Sequence, residues 1–63
     1  MEMEIIYRNY DVGRDMSVLA CGDILFIDCY EDRKFERYAL FYDDSGNSHH
    51  IKTADILIIK VLK

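Results

Sequence analysis

The most regular stretch of the chain runs from Ile24 to Tyr30 and reads Ile-Leu-Phe-Ile-Asp-Cys-Tyr. Successive side chains of an extended strand point to opposite faces. Leu25, Ile27 and Cys29 therefore share one face, and Ile24, Phe26, Asp28 and Tyr30 the other. The carboxylate of Asp28 predicts that its face is the wetter one. Similar stretches flank this one. Glu2 to Tyr10 carries Ile5, Ile6, Tyr7 and Tyr10, and Met16 to Ala20 is short and mostly apolar. Phe35 to Tyr42 is dense in the aromatics that suit sheets, and Ser48 to Lys52 is a short return. Turn chemistry separates these stretches: Gly13 within Asp11 to Asp15, Cys21-Gly22-Asp23, the charged run Glu31-Asp32-Arg33-Lys34, and Asp43 to Asn47 around Gly46.

Thr53-Ala54-Asp55 fits one turn of 3₁₀ helix with Thr53 as its cap. Ile56 to Leu62 follows as a last apolar strand. A C-terminal helix is the rival, but Ile56, Ile58, Ile59 and Val61 are β-branched and lower helix propensity. A helix of that length is also marginal without extensive packing. As a strand, the segment is apolar on both faces, with Ile56 and Ile58 set against Leu57, Ile59 and Leu62. Short strands divided by turn signals about every 8–12 residues indicate a small sandwich or barrel. The sequence thus predicts an all-β domain over residues 1–63: a five- or six-strand barrel with a 3₁₀ turn near 53–55, closed so that its edges are hidden.

Size tightens the picture. For 63 residues, surface scaling leaves only about 60% of the unfolded area buried, so packing must be good or a partner must help. The chain is 51% hydrophobic, enough to oppose the ordering entropy. Its 12 acidic and 8 basic side chains give a formal charge of −4. Nucleic-acid binding draws its affinity from Lys and Arg on phosphates, so direct binding to nucleic acid or to an anionic membrane is disfavoured and a basic protein partner fits better. Cys21 and Cys29 are too few for a disulfide framework and read as small buried hydrophobes in a reducing compartment. No basic start precedes an apolar run, and the longest apolar stretch, Ile56 to Ile59, is far short of a membrane span. The expected location is the cytoplasm.

Several stretches resemble SH3 domains in order and spacing. Ile5-Ile6-Tyr7-Arg8-Asn9-Tyr10 is similar to their opening strand. Asp15-Met16-Ser17-Val18 and Gly22-Asp23-Ile24-Leu25 resemble their acidic-hydrophobic and Gly-Asp-x-hydrophobic stretches. Phe35-Glu36-Arg37 falls where the family has its ligand-binding Trp. Asp44 to Asn47 matches the distal hairpin, and Ile51 to Ile56 the last strand with its 3₁₀ turn. The resemblance implies an SH3-like barrel. It does not carry over proline-peptide binding, which uses a groove with Trp, Pro and Tyr. This chain has no Trp and no Pro. Phe35 stands at the Trp-like position, Lys52 or Thr53 near the Pro-like one and Asp55 near the Tyr-like one, leaving Tyr7 and Tyr10 as groove aromatics.

Candidate chemistry is sparse. His49 and His50 are adjacent, so on a strand they face opposite ways and cannot share a metal. One is expected to be exposed and the other packed against a tyrosine. No nucleophile–base pair, phosphate loop or cofactor motif is legible, so no catalytic, cofactor or metal residue is assigned and the chain reads as a non-enzyme. The aromatics are the stronger signal. Tyr7, Tyr10, Tyr30, Phe35, Tyr38 and Tyr42 exceed what so small a core can absorb, and tyrosine is enriched at binding hot spots. With Glu31, Asp32 and Glu36 they form the expected partner-binding surface of a protein–protein interaction module. Ile56, Leu57, Ile58, Ile59 and Leu62 form an expected homodimer interface. The alternative is a small phage- or mobile-element-encoded inhibitor that mimics nucleic acid with Asp28, Glu31, Asp32, Glu36, Asp43 and Asp44. That role requires a carboxylate row free of interleaved Lys.

Overall fold

The computed structural model describes residues 1–63. It contains β1 (Glu2–Asn9), β2 (Arg14–Glu31), β3 (Lys34–Asp43), β4 (Ser48–Lys52), a 3₁₀ turn (Thr53–Asp55) and β5 (Ile56–Val61). The strands form one antiparallel sheet in the order β4-β3-β2-β1-β5. The all-β class, five strands, the 3₁₀ turn and the extended C-terminal segment agree with the sequence reading. No helix is long and apolar enough to cross a membrane.

Two expectations need correction. Met16 to Ala20 and Ile24 to Tyr30 are not separate strands; they are the two halves of β2, which runs through the expected turn at Cys21-Gly22-Asp23. Gly22 sits at φ +86, and the ladder to β3 shifts register between Cys21 and Leu25. The glycine therefore bends the strand and does not end it, as a bulge does. Its N–H is satisfied by the Met1 carbonyl at 2.9 Å. The first half of β2 pairs with β1 and the second half with β3, so one strand belongs to both layers of the fold.

The second correction concerns closure. The sheet does not close into a barrel, because β4 and β5 remain at opposite margins of the strand order. Only the 3₁₀ turn Thr53–Asp55 links them, so the two margins meet at one corner. Away from that corner they pair only with β3 and β1 respectively. The three-residue 3₁₀ turn carries the chain from the β3 edge to the β1 edge and does not fold it back as a hairpin, so β4 and β5 do not pair with each other.

The core sits inside this bent sheet. Met3 and Ile5 of β1, Ala20 of β2, and Ala39 and Phe41 of β3 are buried, with Tyr7, Val18, Ile24, Ile51 and Ile56 packed partly against them. Cross-strand partners share a face, so the ladder places Phe26, Asp28 and Tyr30 on the core side, opposite Ala39, Arg37 and Phe35. The face carrying Asp28 is thus the inner one, contrary to the sequence reading, and Leu25, Ile27 and Cys29 look outward. Asp28 is tolerated because β4 stops opposite Tyr38, at Lys52. Beyond that point β2 and β3 continue as a two-stranded arm in solvent. There Asp28 holds Arg37 through hydrogen bonds of 2.8 and 3.3 Å.

The molecule is more open than its mass requires. Its accessible surface is 4792 Å², against roughly 4,200 Å² for a compact chain of this size. Its radius of gyration is 11.9 Å, against about 10.6 Å. The projecting arm and the unsealed barrel account for the difference.

Candidate protein-binding face

The outer face of the β2–β3–β4 layer is built by strict alternation. On β3, Ala39 and Phe41 turn inward, which sends Tyr38, Leu40 and Tyr42 outward. The register sets Leu25 opposite Leu40, Ile27 opposite Tyr38, His50 opposite Leu40 and Ser48 opposite Tyr42. The result is a continuous aliphatic and aromatic surface. Leu25 is 61% exposed and Tyr42 62%. A shallow concavity runs over it, lined by Asp23, Leu25, Leu40, Tyr42, Ser48 and His50, and reaches Phe41 and His49. Glu36 lies on the same face, opposite Cys29, and pairs with Lys34 at 3.3 Å.

The other expected partner-binding residues are dispersed. Tyr30 and Phe35 form a pair with ring centroids 4.7 Å apart, but on the inner side of the arm. Phe35 is accordingly not in a groove with Tyr7 and Tyr10, as the Trp-like assignment implied. The tight Asp32–Arg33 turn, with φ of 51 and 66, sets Phe35 directly across from Tyr30, away from the body of the sheet. Glu31 and Asp32 lie beside that turn. Tyr7 is half-buried against the core, whereas Tyr10 is exposed in the β1–β2 turn. A second concavity does bring Tyr7, Tyr10 and Tyr38 together with Lys52 and Asp55, between the β1–β2 turn and the 3₁₀ turn. Tyr38 occupies the place in it that sequence spacing assigned to Phe35.

Leu25, Ile27, Leu40 and His50 were not among the expected site residues. The signal that could have found them was the small size of Ala39. A residue with so little bulk on an aromatic strand marks where the two layers approach closely, and hence the inner face.

The histidines divide as strand geometry requires. His50 is outward, its ring 6.2 Å from that of Tyr38. His49 is half-buried and stacks on Phe41 at 5.2 Å and 11°. The expected aromatic partner was a tyrosine; the inward packing is against Phe41. Nε2 of His49 lies 2.8 Å from Oδ2 of Asp43. Oδ1 of Asp43 accepts the N–H groups of Ser45 and Asn47, each at 2.9 Å. The His49 contact above all, and then the backbone N–H donors, pull the Asp43 carboxyl down from 3.8 to about 2. Asp28 is likewise lowered, chiefly by its hydrogen bond from Arg37.

This cluster locks the β3–β4 hairpin. It offers no nucleophile, and no group of three or more His, Cys, Asp or Glu is placed to hold a metal. Cys21 and Cys29 are free and half-buried. On one strand eight residues apart they lie on the order of 20–25 Å from each other, far beyond disulfide reach. No protein-family model, curated protein sequence or solved structure matches the chain.

Proposed function

We propose that the protein is a non-enzymatic interaction module that binds another protein through the outer face of β2–β4. The observation that carries this reading is the contiguous exposure of Leu25, Ile27 and Tyr42 around half-buried Tyr38 and Leu40. Exposed apolar surface of this kind marks an interface, and tyrosines flanked by aliphatics supply hot spots at low entropy cost. Asp23 and the net charge of −4 favour a partner with a basic rim, since complementary charge steers encounter. The free thiols suit a reducing, cytoplasmic setting.

Three features support an SH3-like reading of the fold: the strand order, the long bent second strand, and the 3₁₀ turn between the last two strands. The concavity with Tyr7, Tyr10 and Tyr38 lacks the Trp and Pro of a proline-peptide groove, so the outer face is the stronger site. The nucleic-acid mimic is less well supported. Asp28 pairs with Arg37 and Glu36 with Lys34, so cations interrupt the carboxylate row.

The test is affinity capture from the native host, followed by direct titration of the recovered partner. Leu25→Ala with Tyr42→Ala should weaken binding at least tenfold with an unchanged circular dichroism spectrum. Affinity should fall only modestly as salt rises. Equal binding by the double variant, or loss of affinity by orders of magnitude in moderate salt, would reject the outer-face reading.

A further inference from the structure

The β5 margin is unlike the β4 margin. β4 is five residues long and carries His49, His50 and Lys52, the kind of short, polar edge that resists pairing. β5 carries Leu57, Ile58, Ile59 and Val61 with Lys60 as its one charge, and these aliphatics are 41–62% exposed. A β-bulge opposite Ile6 and Tyr7 leaves Leu57 without a partner on β1, and the ladder is regular from Ile58 to Val61. Ile59 and Val61 stand opposite Ile5 and Met3 and so share the core side.

The backbone shows which groups are free. The Leu62 N–H donates to the Glu2 carbonyl at 2.8 Å. Hydrogen-bonded and free residues alternate along an antiparallel ladder, so the N–H and C=O groups of Ile59 and Val61 point away from β1, and Leu57, set out of the ladder by the bulge, has no β1 partner. We propose that this margin pairs with the same margin of a second copy, antiparallel and centred on Ile59, to make one continuous ten-stranded sheet. The proposal does not depend on the outer-face reading.

The register follows from symmetry and charge. Keeping both core sides on the same side of the joined sheet requires a residue to face its own copy at the centre. Centred on Ile59, Leu57 meets Val61 of the second copy, and all the outward groups of Leu57, Ile59 and Val61 find partners. Lys60 meets Ile58, against which its alkyl stem can lie. Asp55 of one copy comes to the same end as Lys63 of the other. Centring on Lys60 would oppose two ammonium groups. Centring on Ile58 would set Asp55 against Val61 and leave the outward groups of Val61 without strand partners.

Sedimentation velocity between one and several hundred micromolar tests the pairing. The native chain should be a dimer at the upper end. Val61→Pro removes an outward N–H that the isolated chain does not use; it should give monomers with unchanged circular dichroism, while Val61→Thr should keep the dimer. Asp55→Lys and Lys63→Glu should each weaken dimerisation several-fold, and the double variant should restore it. This charge exchange decides the matter if Val61→Pro fails to fold. A native chain that stays monomeric, assemblies larger than a dimer, a dimer indifferent to Val61→Pro, or no rescue by the double variant would overturn the proposal.

Discussion

Replacing Gly22 by alanine isolates the cost of the bend that lets β2 serve two layers. A Cβ built on Gly22 meets nothing within 4 Å, so there is no clash to relieve and no cavity to fill. The whole penalty is conformational. At φ +86 an L-residue pays about 1–2 kcal/mol. A chain of 63 residues has a total stability of only ~3–9 kcal/mol. With an unfolding entropy near 2.1 cal/mol/K per residue, the substitution should lower Tm by about 8–15 °C. Thermal unfolding followed by circular dichroism at 215–220 nm, roughly where strand signal lies, gives the number, and urea titration should show a lower midpoint at constant slope. The chain is short enough for chemical synthesis, so D-alanine can be placed at the same position. It should match or exceed glycine by about 0.4–1 kcal/mol, because it accepts positive φ and restricts the unfolded chain. If L-alanine left Tm unchanged, or if the two enantiomers behaved alike, β2 would not bend at a left-handed residue and the account of its two layers would be wrong.

Other perturbations probe other parts of the molecule. Ile5→Ala empties the largest fully buried position and should cost about 2–5 kcal/mol, read as a much lower Tm and urea midpoint by circular dichroism. Arg33→Gly relieves a φ of 66 in a two-residue turn that favours glycine there; it should raise stability by about 1 kcal/mol in urea. Asp43 has a folded-state pKa of about 2 against an ordinary 3.8. Its stabilisation is therefore complete above the ordinary value and is lost as pH falls through the folded one. Asp43→Asn should thus lower the urea midpoint at neutral pH, and the gap to the native chain should close between about pH 4 and pH 2. A gap that persists below pH 2 would mean that ionised Asp43 does not lock the hairpin.

Much of the fold was legible because strands advertise themselves by alternation and hairpins by turn chemistry. Asp43 to Asn47 fell where Asx side chains put it, and the 3₁₀ turn fell at Thr53–Asp55, but Thr53 does not cap it: Lys52 stands at the cap position without a side-chain hydrogen bond, and the Thr53 hydroxyl donates to the Arg37 carbonyl at 3.2 Å. Cys21-Gly22-Asp23 misled because a glycine that ends a strand and a glycine that bends one look the same in sequence; only the partners on both sides show that β2 continues. Asp28 misled for a related reason. A charge normally marks the wet face, but here the inner face runs past the end of the core, and Arg37 answers the charge in solvent. Residues 56–62 read as apolar on both faces. The bulge at Leu57 turns Ile56 inward beside Tyr7, which local sequence does not announce. The site suffered from the same ambiguity. Tyr38 and Tyr42 were identifiable as surface aromatics, but Leu25 and Ile27 were assigned to the drier face, so the surface they complete stayed hidden.

Because β2 pairs with β1 through one half and with β3 through the other, neither layer can melt while the other stays whole. Amide exchange should accordingly report a single cooperative block spanning both layers. The exception is the stretch from Cys29 to Glu36, which extends past both the last residue of β4 and the Thr53 hydroxyl that donates to the Arg37 carbonyl. A lone two-stranded ribbon is marginal in water, so this segment should open on its own, orders of magnitude more often than the body it springs from.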